Sequence, residues 1–187
     1  LKKYANKAYQ NLLNTTQLTV VSKSTATLDS VENTANMKRN QRYLPERKNT
    51  ENLIPKASLT ANQRQIFAIA KGEWQAIKHI TLELRDVNPQ GAAEITVYDA
   101  LSQFLVEMSV YHLDNNKIDV LAWICRILGE SKNGRYKALL QNVAGQVTST
   151  KLRNYALSAS RSLPQNITPY IIGDINFKKV LDEYQQK

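Results

Sequence analysis

From Thr60 to the C terminus, apolar residues recur every three or four positions, in segments that are separated by short polar turns. Residues 128–156 show the pattern most clearly, with the end of one helix, a turn, a second helix, another turn and the start of a third. Apolar side chains at this spacing lie on one face of a helix, and that face must be buried against a neighbour. Because short turns join antiparallel helices, the pattern predicts an all-α domain of antiparallel helix pairs over residues 58–187.

Residues that are typical of helix ends divide this region. Thr60 and Gln63 have the spacing of a capping box, which predicts that a helix begins there. Gly72 predicts a break between two helices, and Gly129 predicts the left-handed residue that ends another helix. A last helix is predicted to begin at Asp174.

Apolar stripes identify the side chains that are expected in the core. The longest stripe, between residues 92 and 113, predicts a central helix and consists of Val97, Leu101, Phe104, Met108 and Tyr111. Trp74 and Trp123 lie near the stripes of their own helices, so core packing is predicted for both of them. Stacking of these indoles on a ligand is the alternative.

The chain carries a formal charge of +9, and most of this charge belongs to its first third. Residues 1–60 contain 10 Lys and Arg against 4 Asp and Glu, whereas residues 61–187 contain 15 against 12. Apolar spacing predicts an N-terminal helical segment over residues 1–37. Residues 38–57 are polar, basic and interrupted by Pro45 and Pro55, so we interpret them as a linker.

Residues 127–163 resemble a HEAT-like helical repeat of the short bacterial type. In that pattern one helix ends in Leu-Gly, an Arg opens the next helix with its Leu-Leu pair, and a basic residue precedes an Ala-rich helix. The matching residues are Leu128, Gly129, Arg135, Leu139, Leu140, Lys151, Leu152, Arg153, Ala156 and Leu163. The resemblance implies that the helix pairs stack as a short right-handed α-solenoid, in which each pair buries the apolar face of its neighbour.

The sequence contains no recognisable catalytic pattern, so the chain is predicted not to be an enzyme. It has no phosphate-binding glycine loop, no nucleophile elbow and no Cys or His pair at metal-ligand spacing, so neither a cofactor nor a metal is predicted. We interpret His79 and His112 as structural or surface residues. Cys125 with His112 and Asp114 is a candidate thiol nucleophile, but a cysteine inside an apolar helix is typically inert.

Four basic residues mark the starts of two successive helices: Arg135, Lys137, Lys151 and Arg153. A positive side chain in the first turn opposes the helix dipole, which favours acidic residues there. We therefore expect a negative charge that compensates for this placement. It belongs either to a bound partner, which makes these four residues a candidate binding site, or to a carboxylate of this chain such as Glu130 or Asp119.

These observations favour a non-catalytic module that binds a protein or a peptide through a surface of stacked helices. The alternative is a nucleic-acid-binding protein, which is favoured by the net charge and by the basic run at residues 38–48 around Tyr43. Bases are usually held by several aromatic side chains interleaved with cations, and Tyr43 alone does not form such a platform. An enzyme of unrecognised chemistry is the third alternative.

The sequence contains few signals for a cellular compartment. No window approaches the ~18 uncharged apolar residues that cross a bilayer, so no membrane span is predicted. The chain begins with Leu1 instead of Met, which is compatible with a processed secreted or periplasmic form. Cys125 is the single cysteine, so disulfide pairing does not indicate a compartment.

Overall fold

Helices account for most of the described residues, which confirms the all-α fold class. The computed structural model describes residues 42–43, 53–87, 95–165 and 168–185, all of which belong to the unit Arg42–Lys187. The α-helices of these ranges are α1 (Ala61–Lys71), α2 (Trp74–Val87), α3 (Ile95–Ser109), α4 (Asn115–Glu130), α5 (Lys137–Gln146), α6 (Thr150–Ser162) and α7 (Phe177–Tyr184). A 3-10 turn, Gly134–Tyr136, leads directly into α5.

Two strands of two residues each accompany the helices. Strand β1 (Arg42–Tyr43) pairs in parallel with β2 (Tyr111–His112). Farther along the chain, Pro55 forms an antiparallel bridge with Gln185 at the end of α7. The described parts of the predicted linker 38–57 therefore contact the helical unit, and the helical segment predicted over residues 1–37 lies outside the described residues.

The predicted boundaries around α1 are confirmed in detail. The Thr60 hydroxyl accepts a hydrogen bond from the Gln63 backbone N–H, with a distance of 3.3 Å. In return, the Thr60 backbone N–H donates to Gln63 Oε1 at 2.9 Å. Gly72 adopts the left-handed conformation with φ 79°, and its N–H bonds the last carbonyls of α1. Because only glycine takes this conformation without strain, the chain ends α1 here and restarts as α2.

Gly129 does not end α4, so that prediction is wrong. It lies inside the helix, and the left-handed residue of the following turn is Lys132, with φ 55°. The reason for glycine at this position is the approach of α6. A Cβ atom built on Gly129 would lie 3.0 Å from both Cα and Cβ of Ala159. Helices α4 and α6 can therefore pack this closely only because both positions carry small residues.

The end of the central helix also differs from the prediction. Val97, Leu101, Phe104 and Met108 are buried as predicted, but α3 ends at Ser109, and Tyr111 pairs with β1 as part of the extended strand β2. Pairing with a segment so distant in sequence could not be read from local spacing.

The last helix begins at Phe177 instead of Asp174. The side chain of Asn176 caps this helix by accepting a hydrogen bond from the Lys179 N–H at 3.1 Å. Asp174 lies in the preceding turn, next to Gly173 with φ 99°. Asp and Asn are equally good N-caps, so residue type alone did not distinguish the two positions.

Within the described residues, helices α1 to α6 form three pairs and two layers. Within the pairs, α1 packs against α2, α3 against α4, and α5 against α6. Between the pairs, one layer joins α1 to α3 and α3 to α5, and the other joins α2 to α4 and α4 to α6. Both layers contribute to the core, whose largest fully buried side chains include Ile69, Ile77, Leu101, Phe104, Leu105, Leu121, Ile124, Leu128, Tyr136 and Leu140.

Residues 168–185, which we call the C-terminal segment, lie along the layer of α1, α3 and α5. The Tyr170 N–H donates to the carbonyl of Arg135 just before α5, at 2.9 Å. The Gly173 N–H donates to Gln103 Oε1 of α3 at 2.8 Å. Helix α7 then packs against α1. The segment thus contacts the helices of this layer in the reverse of their chain order.

The close approach of α4 and α6 predicts the effect of adding one methyl group. Gly129→Ala should lower the free energy of unfolding by about 1–3 kcal/mol, because its Cβ would crowd the backbone of Ala159. Gly145→Ala in α5 is the matched control, since nothing lies within 4 Å of a Cβ atom there. This control should raise the free energy of unfolding by up to about 1 kcal/mol through helix propensity.

Urea unfolding followed by circular dichroism measures both free energies. An equal response of the two variants, in either direction, would contradict close packing of α6 on Gly129.

Candidate interaction surface

Helices α2, α4 and α6 lie side by side and run in the same direction. Near their starts, the Lys117 ammonium of α4 lies 6.0 Å from the centre of the Trp74 ring of α2. Near their ends, Gly129 of α4 faces Ala159 of α6. The first turns of these three helices therefore share one edge of the layer, which we call the N-terminal edge.

A large groove, with a volume of about 380 Å³, lies between the starts of α2 and α4. Its lining consists of Trp74, Gln75, Lys78, Asp114, Asn116, Lys117, Asp119 and Val120. Trp74 packs edge-on against Phe104, with 5.0 Å between the ring centroids. The predicted core packing of Trp74 therefore holds for one side of its ring, while another part of the indole lines the groove. A groove of this volume accommodates a large side chain or a small ligand.

A small groove, with a volume of about 80 Å³, lies between α4 and α6. Its lining consists of Asp119, Ala122, Trp123, Arg126, Lys151 and Tyr155. Tyr155 is 43% exposed, whereas Leu152, Ala156 and Ala159 of the same helix are buried. Asp119 lines both grooves, so they adjoin. We call the residues of the two grooves, together with Arg85, the α2–α4–α6 face.

Trp123 lies half-buried on this face, so the predicted core packing is wrong for this residue. The guanidinium carbons of Arg85 and Arg126 lie 5.4 Å and 5.0 Å from its ring centroid. Cations at this distance are attracted to the ring electrons of an indole. Each arginine is also paired with a carboxylate at 2.7 Å, Arg85 with Asp86 and Arg126 with Glu130. Charged side chains thus stabilise an aromatic ring at the surface.

The sequence did contain a signal for this surface. Asp119, Trp123 and Arg126 follow helical spacing on α4, on the side opposite Leu121, Ile124 and Leu128. A tryptophan beside charged residues instead of within the buried set indicates an outward position.

Two of the four basic residues predicted as a site lie at the N-terminal edge. Lys151 Nζ lies 2.5 Å from Asp119 Oδ1, so one of the two carboxylates that the sequence suggested does compensate for this lysine. The hydrogen bond to Asp119 raises the pKa of Lys151. Arg153 donates from its guanidinium to the Val147 carbonyl at 2.7 Å, which ties the start of α6 to the preceding turn.

The other two basic residues lie at the opposite end of the α5–α6 pair. Lys137 Nζ donates to the Leu163 carbonyl just after α6, at 3.0 Å. Arg135 pairs with Asp99 of α3 at 3.5 Å. Since α5 and α6 are antiparallel, the structure does not bring all four residues together, and Arg135 and Lys137 make internal contacts away from the N-terminal edge.

Arg135 belongs to a polar cluster that fixes the C-terminal segment. The Tyr136 hydroxyl donates to Asp99 Oδ1 at 2.8 Å. The Arg135 guanidinium lies over the rings of Tyr136 and Tyr170, at 5.8 Å and 5.6 Å. Burial raises the pKa of Tyr136 and of Tyr170, so both hydroxyls stay protonated at neutral pH. The cluster joins α3, the turn before α5 and the C-terminal segment.

The candidate thiol nucleophile does not have the environment that catalysis requires. Cys125 is completely buried, and burial raises the pKa of its thiol, so the reactive thiolate does not form at neutral pH. Asp114 caps α4 by accepting from the Lys117 N–H at 2.9 Å, and it also pairs with the Lys117 ammonium. His79 and His112 are exposed at the surface.

Within the described ranges, no three His, Cys, Asp or Glu side chains converge as a metal site requires. The helices of the same residues are too short or too polar to span a bilayer. Comparison with protein-family models, curated proteins and solved structures finds no match for this chain.

The polar cluster predicts an unusual titration of Asp99. Burial raises the pKa of this carboxyl above its ordinary value, although the Tyr136 hydrogen bond and the Arg135 charge act in the opposite direction. Carboxyl ¹³C chemical shifts should therefore give an Asp99 midpoint above about 3.9. Tyr136→Phe should move the midpoint further up, and Asp174→Asn should move it down, because the charge of Asp174 raises this pKa.

The raised pKa of Asp99 also determines how the free energy of unfolding changes with pH. A carboxyl whose pKa is higher in the folded than in the unfolded state binds protons preferentially when folded. The contribution of Asp99 to the free energy of unfolding should thus increase as the pH falls through its folded-state pKa. A midpoint at or below that of an ordinary aspartate would contradict this assignment.

Proposed function

We propose that this chain is a non-catalytic interaction module that binds a protein or a peptide along the α2–α4–α6 face. The observation that carries the proposal is the surface group around the small groove, which consists of half-buried Trp123 and exposed Arg126 and Tyr155. Trp, Tyr and Arg are the residue types that contribute most to the energy of protein interfaces. Adjoining grooves provide places where partner side chains lose their contact with water.

The proposed architecture is a short right-handed α-solenoid of HEAT-like pairs. It is supported by contacts within each pair and by contacts between equivalent helices of successive pairs. Solenoids of this kind bind partners through the extended surface of one layer. Here the layer of α1, α3 and α5 carries the C-terminal segment, which leaves the α2–α4–α6 face as the better candidate for a partner.

The balance of charges favours a protein or peptide over a nucleic acid. Four cations of the face already have carboxylate partners: Arg85 with Asp86, Lys117 with Asp114, Arg126 with Glu130 and Lys151 with Asp119. Binding to a phosphate backbone depends mainly on cations that displace its counterions. Carboxylates along the same grooves would oppose that binding, whereas a peptide can present both charge and apolar side chains.

Nucleic-acid binding is the second candidate, and one observation favours it. Lys117 lies over Trp74, and two arginines lie over Trp123, so cations and aromatic rings are interleaved on one face. Single-stranded nucleic acids bind to surfaces that combine these two features. Of the basic run at residues 38–48, the structure describes only Arg42 and Tyr43.

A peptide library displayed on phage and selected against the 187-residue chain tests the proposal. Selected peptides should bind at least about tenfold more weakly to Trp123→Ala and Tyr155→Ala, because truncating an interface aromatic usually removes a large share of the binding energy. Ile171→Ala is the matched control, since this side chain is 63% exposed on the C-terminal segment. It should bind like the unmodified chain.

Two results would overturn the proposal. One is a selection that enriches no peptide, or only peptides whose affinity is indifferent to both aromatic variants. The other is tight binding of a single-stranded oligonucleotide at about 150 mM salt that both variants abolish, which would favour the nucleic-acid alternative.

A further inference from the structure

We infer that the partner segment is an acidic, extended peptide that crosses the starts of α2, α4 and α6 from the large groove to the small one. The inference rests on the proposed function and specifies the chemistry of the partner. It is carried by three features of the same surface: the charges along the N-terminal edge, the spacing of the grooves and the exposure of the ion pairs.

Positive charge predominates along the N-terminal edge. Four basic residues occupy the first two turns of the three helices: Lys78, Lys117, Lys151 and Arg153. Over the same two turns the acidic residue is Asp119, while Asp114 caps α4 and Glu73, which precedes α2, is paired with Lys71. The parallel helix dipoles add partial positive charge at the same edge. An acidic segment complements this edge, and a neutral or basic one does not.

The distance between the grooves fits an extended peptide. The two grooves lie on either side of α4, and neighbouring helix axes are about 8–10 Å apart, so the groove centres have a similar separation. In a polyproline II conformation every third side chain lies on the same side of the peptide, about 9 Å apart. Side chains at positions i and i+3 of such a peptide can therefore enter the two grooves. The large groove suits a bulky apolar side chain, with Trp74 as one wall.

The existing ion pairs do not block an incoming carboxylate. Lys151 and Asp119 are 52% and 47% exposed, and Lys117 and Asp114 are 33% and 54% exposed. Ion pairs with this exposure contribute little to stability, so a lysine can exchange its partner for a peptide carboxylate. A continuous phosphate backbone would instead run past Asp114 and Asp119, whereas a peptide can place its charges between them.

Matched synthetic peptides test the inference with the full chain. The acidic probe has three Leu-Glu-Pro repeats, which place leucines three positions apart in a chain that favours polyproline II. The control probe has three Leu-Gln-Pro repeats. Isothermal titration at low salt should show at least about tenfold tighter binding of the acidic probe. This preference should shrink as salt is raised, because the charges are exposed.

Charge variants locate the effect. The double variant Lys117→Gln and Lys151→Gln should abolish the preference for the acidic probe while the Gln probe binds as before. Lys178→Gln is the matched control, because Lys178 is exposed on α7 outside the face. Trp123→Ala should weaken both probes. Circular dichroism establishes that each variant retains its helical content.

The outcomes separate this inference from the proposed function. Equal affinity for both probes, with Trp123→Ala weakening both, would overturn the acidic partner and leave the peptide-binding function standing. An acid preference that survives the double lysine variant would overturn the assigned position. Binding of neither probe would overturn this inference, and the library selection then decides the proposed function. Displacement of the acidic probe by an oligothymidine of about twelve nucleotides, with tighter binding of that oligonucleotide, would favour a nucleic acid instead.

Discussion

The close contact of α4 with α6 at Gly129 and Ala159 is the constraint on which the functional surface depends. Because both residues are small, the ends of the two helices pack so closely that a Cβ atom built on Gly129 would lie 3.0 Å from Ala159. Nearer their starts the facing residues are large, and Trp123 and Tyr155 line the small groove there. Small residues thus allow the two parallel helices to pack closely at one end, while larger residues nearer the starts leave a groove between them.

The two layers of helices present different surfaces because the chain returns along only one of them. Tyr170 and Gly173 bind the layer of α1, α3 and α5, and Asp99 with Arg135 and Tyr136 holds that segment in place. The charges of this cluster are partly buried, and Asp99 and Arg135 are partners of each other, so the cluster fixes the position of the segment. The side chains that are accessible to a partner lie on the α2–α4–α6 face, where aromatic rings and cations reach the surface.

Local sequence signals predicted the features that depend on neighbouring residues. The capping box at Thr60, the break at Gly72 and the buried stripe from Val97 to Met108 all depend on contacts within one helix or its first turn. The wrong predictions concern positions whose structure depends on contacts with segments that are distant in sequence. Tyr111 was predicted to be helical, but it lies in β2 and pairs with β1. Gly129 was predicted to end α4, but it lies inside the helix and allows α6 to pack closely. No spacing within one helix contains that information.

The sequence by itself determined the helices, their apolar faces and the basic residues at the starts of α5 and α6, because propensity, capping and periodicity act over a few residues. Only the tertiary structure decided where those charges lie and what compensates for them. Antiparallel packing separates Arg135 and Lys137 from Lys151 and Arg153, and it places Asp119 beside Lys151 across 32 positions of sequence. The physical reason is that ion pairs and grooves depend on distances between helices, which are set by how side chains of different sizes pack.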